Sequence, residues 1–213
     1  TWLDSTHILL TSYYPNSTSP QQNIYILDTG KGANQQSSDL QLLATVGTQQ
    51  NPCWDFDSSI AGNTVYIDRC SPTPSGGSST IQAQQATGGT PPTTAFSSST
   101  LSINSVRVYD RQNAFLLATT TGGLYKIALD GSNNAIQLAS VSQGSVGLTA
   151  YSQFSWSNVS RDGSMFALES YSSAQGQNTA YTLLYGSLSG GPTHTIASIS
   201  DGTVLEIIGW TTM

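Results

Sequence analysis

Charged side chains are scarce in this chain: of its 213 residues, only 8% are Asp, Glu, Lys or Arg. That share is roughly a third of the average for a soluble protein. Ser, Thr, Gln and Asn must therefore form most of the polar surface, which favours an exported domain over a cytosolic protein.

Basic clusters are also lacking, and the formal net charge is −6. Nucleic acid is excluded as a partner, because phosphate binding needs clustered Lys and Arg. The six cations form no run: Lys31, Arg69, Arg107, Arg111, Lys126 and Arg161.

Long apolar runs are missing as well. No stretch approaches the roughly 20 apolar residues of a membrane span, and no signal peptide is found at Thr1. We therefore expect an extracellular or periplasmic segment, excised from a longer exported protein. It should be monomeric and make no membrane contact of its own.

Helical periodicity is absent, whereas short alternating or β-branched runs bounded by turn residues recur from end to end. The chain is predicted to be all-β, a single domain over residues 1–213. By composition, Ser71–Ser78 and Gln85–Pro92 are predicted loops.

The four tryptophans indicate a repeat. Trp2, Trp54, Trp156 and Trp210 are separated by 52, 102 and 54 positions, which fits a period of about 51 with one Trp missing near Val106. Each interval holds about four strand signals, as in a β-propeller whose blades are four-stranded sheets. We predict about four blades of four antiparallel strands, with a β-sandwich as the alternative.

Four segments resemble the TolB-type or WD-repeat-like propeller family. In residues 123–133, GLYKIALDGSN, an aliphatic-Tyr pair leads into an Asp-Gly turn, and residues 23–30, NIYILDTG, form a second copy. Residues 154–167 are similar to the same family's first hairpin, and residues 54–67 repeat that pattern. The resemblance implies a fold and no particular chemistry.

The two ends of the chain are complementary. Trp2 has no strand before it, and the strand Val204–Trp210 has no hairpin partner after it. We predict that Val204–Trp210 pairs with His7–Tyr13 and closes the ring, leaving no unpaired edge. The alternative is a piece of a longer propeller with two open edges.

The only two cysteines flank a predicted hairpin whose turn centres on Ala61-Gly62. Cys53 and Cys70 then lie opposite each other, within reach of a disulfide. A pair of buried free thiols is the alternative.

Three carboxylates, Asp55, Asp57 and Asp68, are predicted on the face of this hairpin that carries the cysteines, with Trp54 and Phe56 on the other. They are a candidate Ca²⁺ site, although no Asp-x-Asp-x-Asp-Gly loop accompanies them. The alternative is that they are solvated or paired with donors. No His or Cys residues have the spacing of zinc ligands, and no cofactor is expected.

A catalytic centre is not evident, since no Gly-x-Ser-x-Gly elbow occurs and the two histidines are isolated. A carbohydrate-active enzyme could use Asp55, Glu169 and Glu206 in a propeller funnel. This stays the alternative to a non-catalytic module.

Tyrosines are the candidate ligand contacts, because Tyr combines apolar area with a polar tip. The candidate binding residues are Tyr14, Tyr109, Tyr151 and Tyr171. The sequence thus predicts an extracellular ligand- or protein-binding, sensing propeller whose partner is a protein or a carbohydrate.

Overall fold

The computed structural model of the chain describes residues 2–12, 22–31, 40–48, 53–59, 63–73, 76–87, 90–109, 115–120, 122–140, 145–147, 158–172, 180–201, 203, 207 and 210–211. These residues form two compact units, Thr1–Ser102 and Ile103–Met213. Each unit consists of two antiparallel sheets. The predicted all-β class is confirmed.

The first unit contains a three-stranded and a four-stranded sheet, each built from strands that are consecutive in the chain. The first sheet has the strands β1 (His7–Ser12), β2 (Gln22–Asp28) and β3 (Gln41–Val46). A 3-10 turn at Thr29–Lys31 follows β2. The second sheet has β4 (Cys53–Ser58), β5 (Thr64–Thr73), β6 (Gly76–Gln85) and β7 (Thr93–Ser98).

The second unit contains two four-stranded sheets that again follow chain order. The third sheet has β8 (Ile103–Tyr109), β9 (Phe115–Thr120), β10 (Gly123–Ala128) and β11 (Ala135–Ser140). The fourth sheet has β12 (Ser145–Gly147), β13 (Met165–Ser172), β14 (Ala180–Ser187) and β15 (His194–Ile199).

All four sheets share one irregularity. In each, the last strand carries one extra residue opposite its neighbour, which is the geometry of a β-bulge. The bulged residues are Leu43 in β3, Ala95 in β7, Leu138 in β11 and Ile196 in β15. The two aliphatic-Tyr pairs noted in the sequence, Ile24-Tyr25 and Leu124-Tyr125, lie opposite the bulge in their sheets. The four sheets therefore repeat one pattern of strand pairing.

In the first unit the core lies between the two sheets. Leu9, Ile24 and Ile26 of the first sheet pack with Val65 and Ile67 of the second. Burying each of these large apolar side chains contributes roughly 1.5–3 kcal/mol. Two polar contacts cross the same interface, because Arg69 Nη1 donates to the Thr45 carbonyl oxygen at 2.7 Å and Gln84 Nε2 to that of Leu43 at 2.8 Å.

The second unit repeats this packing. Leu117 and Leu124 of the third sheet pack with Phe166 and Leu168 of the fourth, on the faces that correspond to those joined in the first unit. Lys126 Nζ lies 4.9 Å from the centre of the Phe115 ring.

Aspartates shape the turns between strands. At five places an Asp side chain accepts a hydrogen bond from the backbone N–H two residues on, which is an Asx turn. The pairs are Asp4 with Thr6, Asp28 with Gly30, Asp130 with Ser132, Asp162 with Ser164 and Asp201 with Thr203. Asp28, Asp130 and Asp162 belong to the motifs that resembled the propeller family.

Some sequence predictions of local structure were wrong. Ser71–Ser78 is not a loop, because β5 and β6 continue through it and Ser71 pairs with Ser78. The strands β7 and β12 were not predicted, since their Ser, Thr and Gly composition resembles that of loops.

Ring closure is not confirmed. The predicted strand Val204–Trp210 lies largely outside the described residues, and the described part of β1 pairs with β2 and, at Ile8, with Trp2. Within the described part of the chain, no helix has the length and apolarity needed to cross a membrane.

Candidate functional site

The disulfide predicted from the hairpin is present. Cys53 and Cys70 are register partners in β4 and β5, their Cα atoms are 5.1 Å apart, and they are bonded to each other. Cys70 is fully buried and Cys53 partly so. A disulfide fits an oxidising compartment.

The three predicted carboxylates do share the face of the cysteines. Asp55 pairs with Asp68 two register positions from the Cys53–Cys70 pair, and Asp57 pairs with Tyr66. Asp57 turns back to accept a hydrogen bond from its neighbour, the Ser58 N–H, at 2.9 Å. Within the described ranges, no group of three or more His, Cys, Asp or Glu side chains could hold a metal ion. The structure therefore does not gather Asp55, Asp57 and Asp68 into the expected Ca²⁺ site, because alternate residues of one strand lie about 7 Å apart.

Asp68 is the most perturbed of these acids. Its side chain is 0% exposed. Burial raises its pKa from 3.8 to about 8, the negative charge of Asp55 adds to the rise, and hydrogen bonding by Ser79 and the Arg69 backbone acts against it. With a pKa of about 8, Asp68 is mostly protonated at pH 7.

Arg69 does not neutralise Asp68, although it is the next residue. Successive side chains of a strand point to opposite faces. Arg69 Nε donates to Gln82 Oε1 at 3.0 Å on the face that packs against the first sheet, and burial lowers its pKa.

Two of the four candidate tyrosines, Tyr14 and Tyr151, lie outside the described residues. Tyr109 belongs to the core of the second unit: it is 4% exposed, and its ring centre is 4.9 Å from that of Phe115. Its packed position does not offer the ring to a ligand. The expectation for Tyr109 is corrected accordingly.

Tyr171 is 40% exposed and has an aromatic neighbour. It pairs with Tyr181 across β13 and β14, and their ring centres are 6.1 Å apart. Further along the same face, the Tyr185 ring lies 5.1 Å from that of His194. We call Glu169, Tyr171, Tyr181, Tyr185 and His194 the tyrosine face of the fourth sheet. Phe166 and Leu168 point to the opposite, core side.

Glu169 stands between the two ring pairs, opposite Leu183. Its Oε1 accepts a hydrogen bond from the Ile207 N–H at 2.8 Å, which attaches Ile207 to this sheet. Asp68 and Glu169 occupy equivalent positions, since each pairs with the residue that precedes the bulge. Of the other proposed funnel carboxylates, Asp55 is in the first unit and Glu206 lies outside the described residues.

Tyr185 and His194 are members of the tyrosine face that sequence reasoning missed. A usable signal was present, because Tyr181, Leu183 and Tyr185 alternate along one strand and so share a face with Glu169 and Tyr171 of its neighbour.

Comparisons with known proteins add little. No protein-family model matches the chain, and no curated protein matches it. A crystal structure of an ancestral GH74 enzyme is similar with 13% sequence identity and a TM-score of 0.46. The likeness covers 88% of this chain and 25% of that one, so the chain spans a quarter of the enzyme's length. A likeness of this extent bears on neither activity nor ligand.

Proposed function

We propose that this chain is a non-catalytic ligand- or protein-binding module that recognises its partner through Tyr171 and Tyr181, at the adjoining ends of β13 and β14. One observation supports the proposal above the others: Tyr171 and Tyr181 present neighbouring rings on a sheet whose other side is fixed in the core. Tyr is favoured at recognition surfaces, because it supplies large contact area while losing little conformational entropy. A rigid sheet also holds the rings in place before binding.

The architecture that we propose is a four-bladed propeller in which each sheet is one blade. The shared bulge and the matching core faces support it, since they make the sheets repeats of one unit. We further propose that Val204–Trp210 pairs with His7–Tyr13 and completes the first sheet. The disulfide supports export to an extracellular or periplasmic location.

The binding proposal is tested by screening the immobilised protein against glycan and peptide libraries. The double variant Tyr171→Ala/Tyr181→Ala should lose affinity for any ligand found by at least tenfold. Ile136→Ala removes another exposed apolar side chain of the same unit and should leave affinity unchanged. Equal binding by the wild type and the double variant would overturn the site. Turnover of a chromogenic glycoside that Glu206→Gln abolishes would establish the carbohydrate-active alternative instead.

Ring closure is tested by deleting residues 203–213. The deletion removes several apolar side chains, each of which contributes roughly 1.5–3 kcal/mol when buried, so the truncated chain should unfold or aggregate. A monomer with an unchanged melting temperature would exclude both the closure and the blade count.

A further inference from the structure

We propose that Thr90, Thr93 and Thr94 are acceptor sites for O-linked sugars. These threonines flank Pro91 and Pro92 where the chain enters β7, the last strand of the second sheet. All five residues are exposed. The inference goes beyond the proposed binding function. It rests on the proposed export of the chain, because Ser- and Thr-rich segments that contain proline carry O-linked sugars in exported proteins.

The hydroxyl groups of the three threonines are available to an enzyme. Within the part of the chain that the structure describes, none of the three hydroxyls forms a hydrogen bond. Thr45 shows the contrasting case, because it is partly buried and its Oγ1 donates to Asn23 Oδ1 at 2.9 Å. An exposed hydroxyl without such a bond reacts without first losing a partner.

The two prolines keep the segment extended. A proline ring fixes its own φ near −65° and removes a backbone donor, and it also holds the preceding residue out of the helical region. Pairing with β6 accordingly begins only after the prolines, at Thr93 opposite Ala83. Extended segments that are ordered in advance are the form in which many proteins bind a peptide chain. A sugar-transferring enzyme can therefore bind this segment while the domain stays folded.

The modification is a glycosyl transfer. The threonine Oγ1 attacks the anomeric carbon of a sugar that is activated by a phosphate or diphosphate group, and a new C–O bond forms. The bond from the anomeric carbon to the phosphate oxygen breaks, and the phosphate leaves with the electron pair. The hydroxyl proton passes to a base of the transferase. No group of this chain has to act as a catalyst.

The scarcity of charge gives the sugars a role. No charged residue lies between Arg69 and Arg107, a stretch that includes β6 and β7. Thr93 and Thr94 are successive residues of β7, so their side chains point to opposite faces of the sheet. Sugars on both would stand on the two sides of the sheet's last strand, where they would add hydrated bulk and obstruct pairing with another molecule.

The test is the mass of the chain after secretion. The chain is secreted from cultured mammalian cells behind a cleavable signal peptide, and N-linked sugars are removed enzymatically. We expect the intact mass to exceed that of the amino-acid chain by whole sugar residues. Electron-transfer fragmentation should place these sugars on Thr90, Thr93 or Thr94, and mild base should release them.

Three variants separate this segment from exposed threonines in general. Thr90→Val/Thr93→Val/Thr94→Val keeps the shape and the strand preference of each side chain, so it should retain its melting temperature and lose all of the O-linked mass. Thr11→Val changes an exposed threonine of β1 with no proline within three positions, and should keep the wild-type mass increment. Pro91→Ala/Pro92→Ala keeps the three hydroxyls and should lower their sugar content at least twofold.

An intact mass without added sugar, or added sugar that persists in the triple threonine variant, would overturn the inference. An increment that a phosphatase removes would also overturn it, because the group would then be a phosphate. Equal sugar content with and without the prolines would contradict the role given to Pro91 and Pro92. The tyrosine variants test the binding function separately, so either proposal can fail while the other stands.

Discussion

Asp68 shows how strongly the position of a carboxyl group in a sheet can change its pKa. It is fully buried opposite Asp55, with the disulfide two register positions further along. A carboxylate cannot be held there at low energetic cost, so the proton stays on. The same burial keeps Asp68 from contacting a substrate, although a neutral acid beside an ionisable one is an arrangement that many enzymes use.

Stability should therefore fall as pH rises from about 4 to about 8. The unfolded chain loses the Asp68 proton near 3.8, while the folded chain keeps it to about 8, so each step upward in this window favours unfolding. We expect the melting temperature to decrease between pH 5 and pH 8 by at least about 4 °C more in the wild type than in Asp68→Asn. Thermal unfolding followed by circular dichroism measures both.

The turn aspartates do not obscure this result. Hydrogen bonds hold the pKa of Asp4 and of Asp162 at about 2, so their contribution is complete above pH 4 and is lost only below it. The histidines are present in both proteins. An identical pH slope in Asp68→Asn would show that the buried acid is not the cause.

Asn158 is a buried polar residue of the second unit. Its Nδ2 donates to the Ala167 carbonyl oxygen at 3.0 Å, and the Ala167 N–H donates to the Asn158 carbonyl oxygen at 2.9 Å. Asn158→Ala should lower the free energy of unfolding by about 1–3 kcal/mol, because a buried carbonyl loses its partner. Urea denaturation measures the loss. The exposed Asn134→Ala is the control, and an equal effect of the two substitutions would contradict the assignment.

For single residues, the sequence predicted correctly which side chains share a face, because that depends on alternation along a strand. It failed where tertiary packing decides whether a side chain is buried. Cys53, Cys70 and the acids were placed correctly, because a hairpin of known centre fixes its register. Tyr109 has the same local pattern as a surface residue. Its burial depends on Phe115 and the Gly163 turn, which a sequence pattern does not bring together.

Among the structural elements, the bulged strand pair is the unit that recurs. In the third sheet, Gly123 begins β10 and pairs with Ser140 of β11, next to the Leu124–Ala139 pair that precedes the bulge. A Cβ atom at position 123 would overlap the carbonyl oxygen of Ala139. The close approach of the two backbones therefore requires glycine.

Gly123→Ala should destabilise the protein by about 1–3 kcal/mol, which is typical of overpacking in a rigid site. Gly122→Ala is the matched control, because a Cβ atom there meets nothing within 4 Å. Chemical denaturation of the two variants gives the comparison. Equal stabilities would mean that the backbone around the bulge yields at little cost.

The tryptophan spacing predicted four repeats, and the described residues form four sheets. The tryptophans themselves, however, do not lie at equivalent positions. Trp2 pairs with Ile8 near the start of β1, whereas Trp54 pairs with Arg69 towards the far end of the corresponding strand, so the two are not equivalent. The aliphatic-Tyr pairs do mark equivalent positions. The bulges were not predictable, because an extra residue leaves no periodic signal in a short, Ser- and Thr-rich strand.

For the molecule as a whole, the disulfide joins the first two strands of the second sheet and closes a loop with a sequence separation of 17. In the chain-entropy model such a loop contributes about 3 kcal/mol. Reduction, or the Cys53→Ser/Cys70→Ser variant, should therefore lower the melting temperature by about 6–12 °C. Differential scanning calorimetry with and without reductant measures it. Alkylation of the denatured, unreduced protein should add no mass, and two adducts would refute the bond.

The bulges also lie on strands whose outer edges are open to pairing with another molecule. The last strands β3, β7, β11 and β15 stand at the ends of their sheets, where an unbroken row of N–H and C=O groups would template pairing with another molecule. Many proteins block such edges with lysine, but this chain has six cations in all. An extra residue in each of these four strands interrupts the row and increases its twist. At these edges, backbone geometry thus supplies the kind of protection that charged side chains supply in many other proteins.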